Sequence, residues 1–232
     1  MIIYGRNAVR EALRAGRRPV REVWATEPAI SSEPWLAETP GVSVRAADEI
    51  AARCGSDDHQ GVCADAGDYP YASAGELLAE PDPLIVVLDQ VQDPRNLGAV
   101  CRTAEAVGAT GVVIPERRSA EVTPVAVKAS AGATEWIPVA RVRNVADFLG
   151  EAKKAGSWCY GAALGEGAVD YREPDYSGGC VLVLGAEGSG LRPRVAESCD
   201  QLVTLPMRGS LDSLNISAAA AALLYAIATV RG

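Results

Sequence analysis

Two unbroken apolar runs, LIVVL at Leu84–Leu88 and CVLVL at Cys180–Leu184, constrain the fold of this chain more than any other feature. A strand with one wet face alternates apolar and polar residues. Five apolar residues in succession need cover on both faces, the condition of a largely parallel sheet flanked by helices. Each run leads into a polar loop and then a helical pattern. After the first, an acidic turn precedes a helix over Leu97–Val107 that Asn96 is expected to open. After the second comes GAEGSG, Gly185–Gly190. A third loop, SLDSLN at Ser210–Asn215, follows a strand candidate at Leu202–Leu205 and precedes a helix over Asn215–Val230, with Ser213 as its expected cap. Three such loops predict one site where strands end and helices begin.

The rest of this α/β region keeps the alternation. Strands are expected at Val112–Ile114, Ile137–Val139 and Trp158–Ala162, and helices over Pro124–Ala131, Val145–Ala155 and Pro193–Ser198. Thr123 and Asn144 fit as N-caps, and Pro124 and Pro193 suit a first helical turn. Residues 1–67 read as a separate βαβαβ-like unit. Its first helix is expected to be capped by Asn7 and ended by Gly16, with strands at Val20–Ala25, Val42–Arg45 and Val62–Ala66 and a helix from Ala47 to Cys54. Residues 68–83 carry three prolines and read as a flexible linker with one helical turn at Gly75–Leu78. The expected domains are therefore 1–67, a linker over 68–83, and 84–232.

At 232 residues, 48% hydrophobic and 22% charged, the chain can bury a sizeable core. No apolar run approaches the roughly 20 residues needed to span a bilayer, and no signal-peptide core opens the chain, so a cytoplasmic location is expected. The six cysteines, at 54, 63, 101, 159, 180 and 199, form no C-x-x-C pair. They predict reduced, buried thiols and no metal site. A net charge of −8 argues against holding nucleic acid by bulk electrostatics. Six arginines nevertheless lie before Trp24, against only Glu11 and Glu22. Arg6, Arg10 and Arg14 are either a solvated helix face or a phosphate-binding patch.

Taken singly, the loop residues are unremarked. Arg102 reads as a surface arginine, Asn96 as a cap, and Glu187 as a solvated loop carboxylate. The spacing G-x-x-G-x-G of the second loop reverses the dinucleotide fingerprint, so an NAD site is not supported. In the third stretch, Ile216, Ala220, Leu223 and Ile227 form an apolar stripe, and five consecutive alanines, 218–222, permit close packing.

Together the three loops resemble, in order and spacing, the motifs of the SpoU (TrmH-type) RNA 2′-O-ribose methyltransferases. N-L-G-A-x-x-R from Asn96 to Arg102 is similar to the first motif, GAEGSG with Leu191-Arg192-Pro193 to the second, and P-M-x-G-S-x-x-S-L-N-x-S from Pro206 to Ser217 to the third. Ile3–Val9 (I-Y-G-x-x-A-V) and His59–Val62 (H-Q-G-V) resemble the small substrate-binding domain of ribosomal-RNA members, itself similar to L30e-type ribosomal proteins. The resemblance implies a SPOUT catalytic domain with a mainly parallel sheet and a C-terminal trefoil knot, dimeric through that domain. It implies S-adenosylmethionine as cofactor, held by Gly185, Leu205, Met207 and Leu214. It also implies a catalytic group of Arg102, Asn96, Glu187, Ser213 and Asn215. Arg95 joins Arg6, Arg10 and Arg14 as a candidate RNA contact. Arg208 and Asp212 depart mildly from the third motif. The implied activity is methylation of a ribose 2′-hydroxyl, foremost a guanosine of 23S ribosomal RNA. A thiostrepton-resistance-type rRNA or tRNA enzyme, and a catalytically silent ribosome assembly factor, are the alternatives.

Overall fold

In the computed structural model, residues 1–165, 167–186 and 188–232 are described. The amino-terminal unit runs β1 (Ile2–Tyr4), α1 (Arg6–Ala15), β2 (Val20–Ala25), α2 (Glu27–Ser32), α3 (Pro34–Glu38), β3 (Val42–Val44), α4 (Ala47–Cys54) and β4 (Val62–Ala66). Its sheet has the order β1-β4-β2-β3, antiparallel except for the β2–β3 pair. The helices α2 and α3 were not expected. Thr26 starts the first by accepting from the Ala29 amide at 3.3 Å, and prolines 28 and 34 open both.

A short helix α5 (Ala74–Leu78) leads into β5 (Leu84–Asp89), α6 (Pro94–Ala106), β6 (Gly111–Pro115) and α7 (Pro124–Ala129). After a 3-10 turn at Ala133–Glu135 come β7 (Val139–Val142), α8 (Val145–Lys154), β8 (Trp158–Ala162) and β9 (Ala168–Asp170). The chain finishes with β10 (Cys180–Gly185), α9 (Pro193–Ser198), β11 (Gln201–Thr204) and α10 (Ile216–Arg231). Strands β5 to β11 form a sheet of order β7-β6-β5-β10-β8-β11-β9, with every pairing parallel. Both apolar runs lie at its centre, in register from Cys180 against Leu84 to Gly185 against Asp89. Alternate residues feed opposite faces. Val86, Leu88, Leu182 and Leu184 pack with Leu97, Val100, Val127, Leu223 and Ile227 of α6, α7 and α10. Ile85, Val87, Val181 and Val183 pack with Leu77, Phe148, Leu149 and Val195 of α5, α8 and α9. All eight strand side chains are buried, each burial stabilising by roughly 1.5–3 kcal/mol.

Several boundaries differ from expectation for local reasons. The cap of α6 is Asp93, whose carboxylate accepts from the Arg95 amide at 2.8 Å, so Asn96 falls within the first turn. Pro94 decides this, because proline at the first helical position leaves the residue before it as cap. Likewise Asn215, not Ser213, caps α10, accepting from the Ser217 amide at 2.9 Å. Gly5, with φ of 95°, precedes α1, and Asn7 lies inside the helix; Gly16 does end it. Thr123 and Asn144 cap as expected. The strand expected at Ile137–Val139 begins only at Val139, because Ile137 closes the 3-10 turn and Pro138 has no N–H for the ladder. Short β9 pairs only with β11 and escaped notice.

The start of the stretch 68–83 packs against the larger unit. Tyr69 is buried and its hydroxyl donates to the Thr134 carbonyl at 2.8 Å; the Tyr71 hydroxyl accepts from the Val122 amide at 3.0 Å; the Ala72 amide donates to Val139 at 2.9 Å. The apolar core of the amino-terminal unit, including Ile3, Ala8, Val9 and Ala12, is continuous with that of the larger sheet. Arg18 reaches across to Glu135, both nearly inaccessible, through Nη2 at 2.5 Å and Nε at 3.1 Å.

Candidate functional site

The switch in strand order falls between β5 and β10. From β5 the chain winds outward through β6 to β7, and from β10 it passes to the other side of the sheet. Ligands of open parallel sheets bind outside the carboxyl ends of strands at such a point. The loops following β5, β10 and β11 all leave from that end.

Two side-chain links tie them together. Asp89, fully buried at the end of β5, receives two hydrogen bonds to Oδ1 from Arg192, from Nη2 at 2.6 Å and Nε at 2.9 Å, and one to Oδ2 from the Arg192 amide at 3.1 Å. This pair pins the loop after β10 to the end of β5. Across the other side, Asn215 Nδ2 donates to Asn96 Oδ1 at 3.3 Å, joining the amino end of α10 to the first turn of α6. The same Asn215 caps its own helix, so its side chain is held at both ends.

Gly185 is required by the loop itself. A Cβ there would lie 2.1 Å from the Gly190 carbonyl carbon and 2.4 Å from the Leu191 nitrogen. The backbone closes on itself through paired hydrogen bonds between Ala186 and Gly190, at 2.9 and 3.1 Å. The glycine expected to admit a ligand therefore first admits its own loop. Glu187 lies outside the described residues. In the third loop Leu205 and Met207 are half-buried, whereas Leu211, Ser213 and Leu214 are exposed, Leu211 at 74%.

Arg102 sits apart from these contacts. It lies six residues beyond Asn96 on α6, about 9 Å along the axis and on a different side of the helix. Among the described residues its guanidinium has no hydrogen-bond partner, so Asn96 does not hold it directly. Arg102 lines a cleft of about 560 Å³ with Glu105, Ser130 and Trp136 on its own side and Asn7, Glu11 and Arg14 of α1 opposite. Trp136 Nε1 donates to Glu11 at 2.9 Å, and the Arg14 guanidinium lies 5.7 Å from the Trp136 ring centre.

The basic face of α1 is largely committed to the protein. Arg6 pairs with Glu33 at 3.0 Å and Arg14 with Glu11 at 2.9 Å; Arg10 is exposed. Arg95 is exposed beside Asn96. His59 is buried, and its Nδ1 accepts from the Gly61 amide at 2.9 Å, which makes it a turn residue rather than a base. Asp170, at the end of β9, is held at about 2 by hydrogen bonds from Arg172 and is a poor proton acceptor. The Asp89–Arg192 link and Trp136 went unnoticed in the sequence. A carboxylate closing an otherwise apolar strand was the available signal for Asp89.

A parallel sheet flanked by helices, with three tied loops at its switch point, defines a class of α/β enzymes that bind a nucleotide-like cofactor at the strand ends. Comparison with known proteins gives the particular family. The model for the SpoU rRNA methylase family matches residues 83–225, and the model for RNA 2′-O ribose methyltransferase substrate binding matches residues 2–72. The chain belongs to the SpoU rRNA methylase family, RNA 2′-O-ribose methyltransferases that use S-adenosylmethionine. It is 38% identical to a putative TrmH family tRNA/rRNA methyltransferase, YacO, of Bacillus subtilis, over 97% of this chain and 94% of that one. It is 39% identical to the 23S rRNA (guanosine-2′-O-)-methyltransferase RlmB of Pseudomonas syringae, over 96% and 93% of the two chains. Among solved structures, the SpoU methyltransferase AviRb from Streptomyces viridochromogenes, crystallised with its cofactor AdoMet, superposes with a TM-score of 0.83 at 27% identity, covering 100% of this chain and 90% of that one. No described helix is long and apolar enough to cross a membrane.

Proposed function

We propose that this protein methylates the ribose 2′-hydroxyl of a guanosine in 23S ribosomal RNA, working in the cytoplasm as a homodimer. The observation that carries this reading is the joining of three family motifs at one strand-end site by Asp89–Arg192 and Asn96–Asn215. The cofactor fits what surrounds that site. Half-buried Leu205 and Met207 with exposed Leu214 offer apolar surface for a purine, beside a glycine loop that presents backbone rather than side chains. When bound there, S-adenosylmethionine supplies an electrophilic methyl group.

The residues then have two tasks: to hold the ribose oxygen in line and to take its proton. Asn96, Asn215 and Ser213 orient the ribose, the first two already fixed by their mutual hydrogen bond. A guanidinium stays protonated at any working pH, so Arg102 serves as a clamp on the phosphate beside the target ribose rather than as a base. Glu187 or water accepts the proton. The cleft that Arg102 shares with α1 gives the flanking nucleotide room between the two units. Dimerisation through the catalytic domain and a C-terminal knot belong to this reading, and membership of the family supports both. The dimer is supported by the exposed side of α10, where Ala218, Ala222 and Tyr225 line up.

Purified protein is expected to bind S-adenosylmethionine and not NAD by calorimetry. Arg102→Ala should abolish nearly all turnover on rRNA while leaving cofactor affinity unchanged, and Arg102→Lys should also be poor, lacking the planar fork. Near-normal turnover by the alanine variant would return Arg102 to an ordinary surface arginine.

A further inference from the structure

Along the carboxyl rim of the large sheet stands a row of arginines, of which Arg95 alone was already a candidate RNA contact. Beyond β6, the loop Glu116–Ala120 carries Arg117 and Arg118, both exposed and, among the described residues, without a hydrogen-bond or ion-pair partner to their side chains. Arg118 has φ of 56°, a left-handed backbone that arginine rarely adopts. Its neighbours fix it there. The Ala120 amide and Ser119 Oγ both donate to the Val91 carbonyl, at 2.7 and 3.3 Å, and the Glu116 amide donates to Val142 at 2.9 Å. Strained charged residues held by anchored flanks are a mark of functional segments.

Those anchors also place the loop. Through Val142 it adjoins Arg143, exposed and unpaired among the described residues; through Val91 it adjoins the turn into α6 with exposed Arg95. Arg143, Arg117, Arg118 and Arg95 thus follow the ends of β7, β6 and β5, which are neighbours about 4.8 Å apart. The acidic groups in the same stretch are mostly engaged. Glu121 pairs with Arg141 at 3.3 Å, Asp147 with Arg194 at 3.3 Å, and Asp93 caps α6, leaving Glu116. In a chain of net charge −8, this is a local excess of unpaired guanidinium, unlike the paired Arg6 and Arg14 of α1.

We propose that this rim is a phosphate-binding track that holds the RNA strand flanking the target nucleotide. It rests on the RNA-methyltransferase reading above. Guanidinium groups suit phosphate oxygens, and a short track beside the motif loops lets a globally acidic enzyme grip RNA next to its site. Each phosphate contact contributes roughly 0.7–0.9 to the log–log salt slope of binding.

The test uses the full chain, with fluorescence anisotropy on a 23S rRNA fragment across a salt series and calorimetry with S-adenosylmethionine. The variant Arg117→Ala, Arg118→Asn, Arg143→Ala removes three charges, asparagine being tolerant of the left-handed backbone. It is expected to weaken RNA binding at least about tenfold at low salt and to flatten the slope by roughly two units, with cofactor affinity unchanged. Arg143→Ala alone, which leaves the strained loop untouched, should flatten the slope by roughly one unit. Wild-type protein that binds RNA, with variants of equal affinity and slope, overturns the track and leaves the methyltransferase reading standing. A wild-type protein that neither binds nor methylates rRNA overturns that broader reading, and the track with it.

Discussion

Asp89 shows how one residue joins core and site. A fully buried carboxylate is costly unless paired, and Arg192 pairs it with four hydrogen bonds from three of its N–H groups while its own side chain stays partly exposed. Arg192→Ala is therefore expected to destabilise the protein by roughly 1–3 kcal/mol, since the half-exposed guanidinium is lost while the residue 192 amide still donates to Asp89, and to weaken S-adenosylmethionine binding by loosening the loop after β10. Urea unfolding and calorimetry read the two effects; an unchanged midpoint would remove the structural role assigned to this pair. Three cysteines are inert by the same logic of burial. Desolvation pushes Cys101, Cys159 and Cys180 up to about 12, so none offers a thiolate to an electrophilic methyl near neutral pH. The motif glycines illustrate what spacing alone conceals. Gly98 of N-L-G-A serves α6–α7 packing, since a Cβ there would meet the Ala126 carbonyl oxygen at 2.4 Å.

At the scale of elements, the apolar runs made the parallel sheet legible, because five buried residues in succession have few other solutions. Helix starts were less legible. Two polar residues near each start competed for the cap, and the winner was decided by Pro94 in α6 and by proximity in α10. Of the candidate site, the three motif loops were legible through resemblance, whereas the position of Arg102 was not. Periodicity told that it leaves the apolar face, but not that the face it joins looks across a cleft at α1. The contacts of the stretch 68–83 are not visible in its prolines and short side chains. Tyr69, Tyr71 and Ala72 there meet partners 50 or more residues away. Arg18, in the loop after α1, ties the amino-terminal unit to the 3-10 turn through Glu135, and the pair is buried at both ends. Arg18→Ala is expected to cost roughly 3–5 kcal/mol, leaving Glu135 buried without its partner. Denaturant midpoints measure it, and a loss under 1 kcal/mol would mean that the two units barely depend on each other.

As a whole molecule, the chain has two sheets, and one of its apolar clusters runs from the amino-terminal unit to one face of the larger sheet. What the single chain leaves open is the exposed side of α10, with Tyr225 at 57% and Val230 at 52% exposure, and Leu211 and Leu214 beside it. A second copy covering that side predicts a dimer by light scattering of the full chain at micromolar concentration, and a monomer for Tyr225→Arg. A monodisperse wild-type monomer would contradict the assembly. The central claim is more direct to test. Full-length protein, S-adenosylmethionine carrying a labelled methyl group, and 23S rRNA from a strain lacking the enzyme are incubated, and the RNA is digested to nucleosides for mass spectrometry. The label is predicted in 2′-O-methylguanosine and in no other nucleoside. Label on a base, or on no nucleoside while the protein binds its cofactor, would contradict the account.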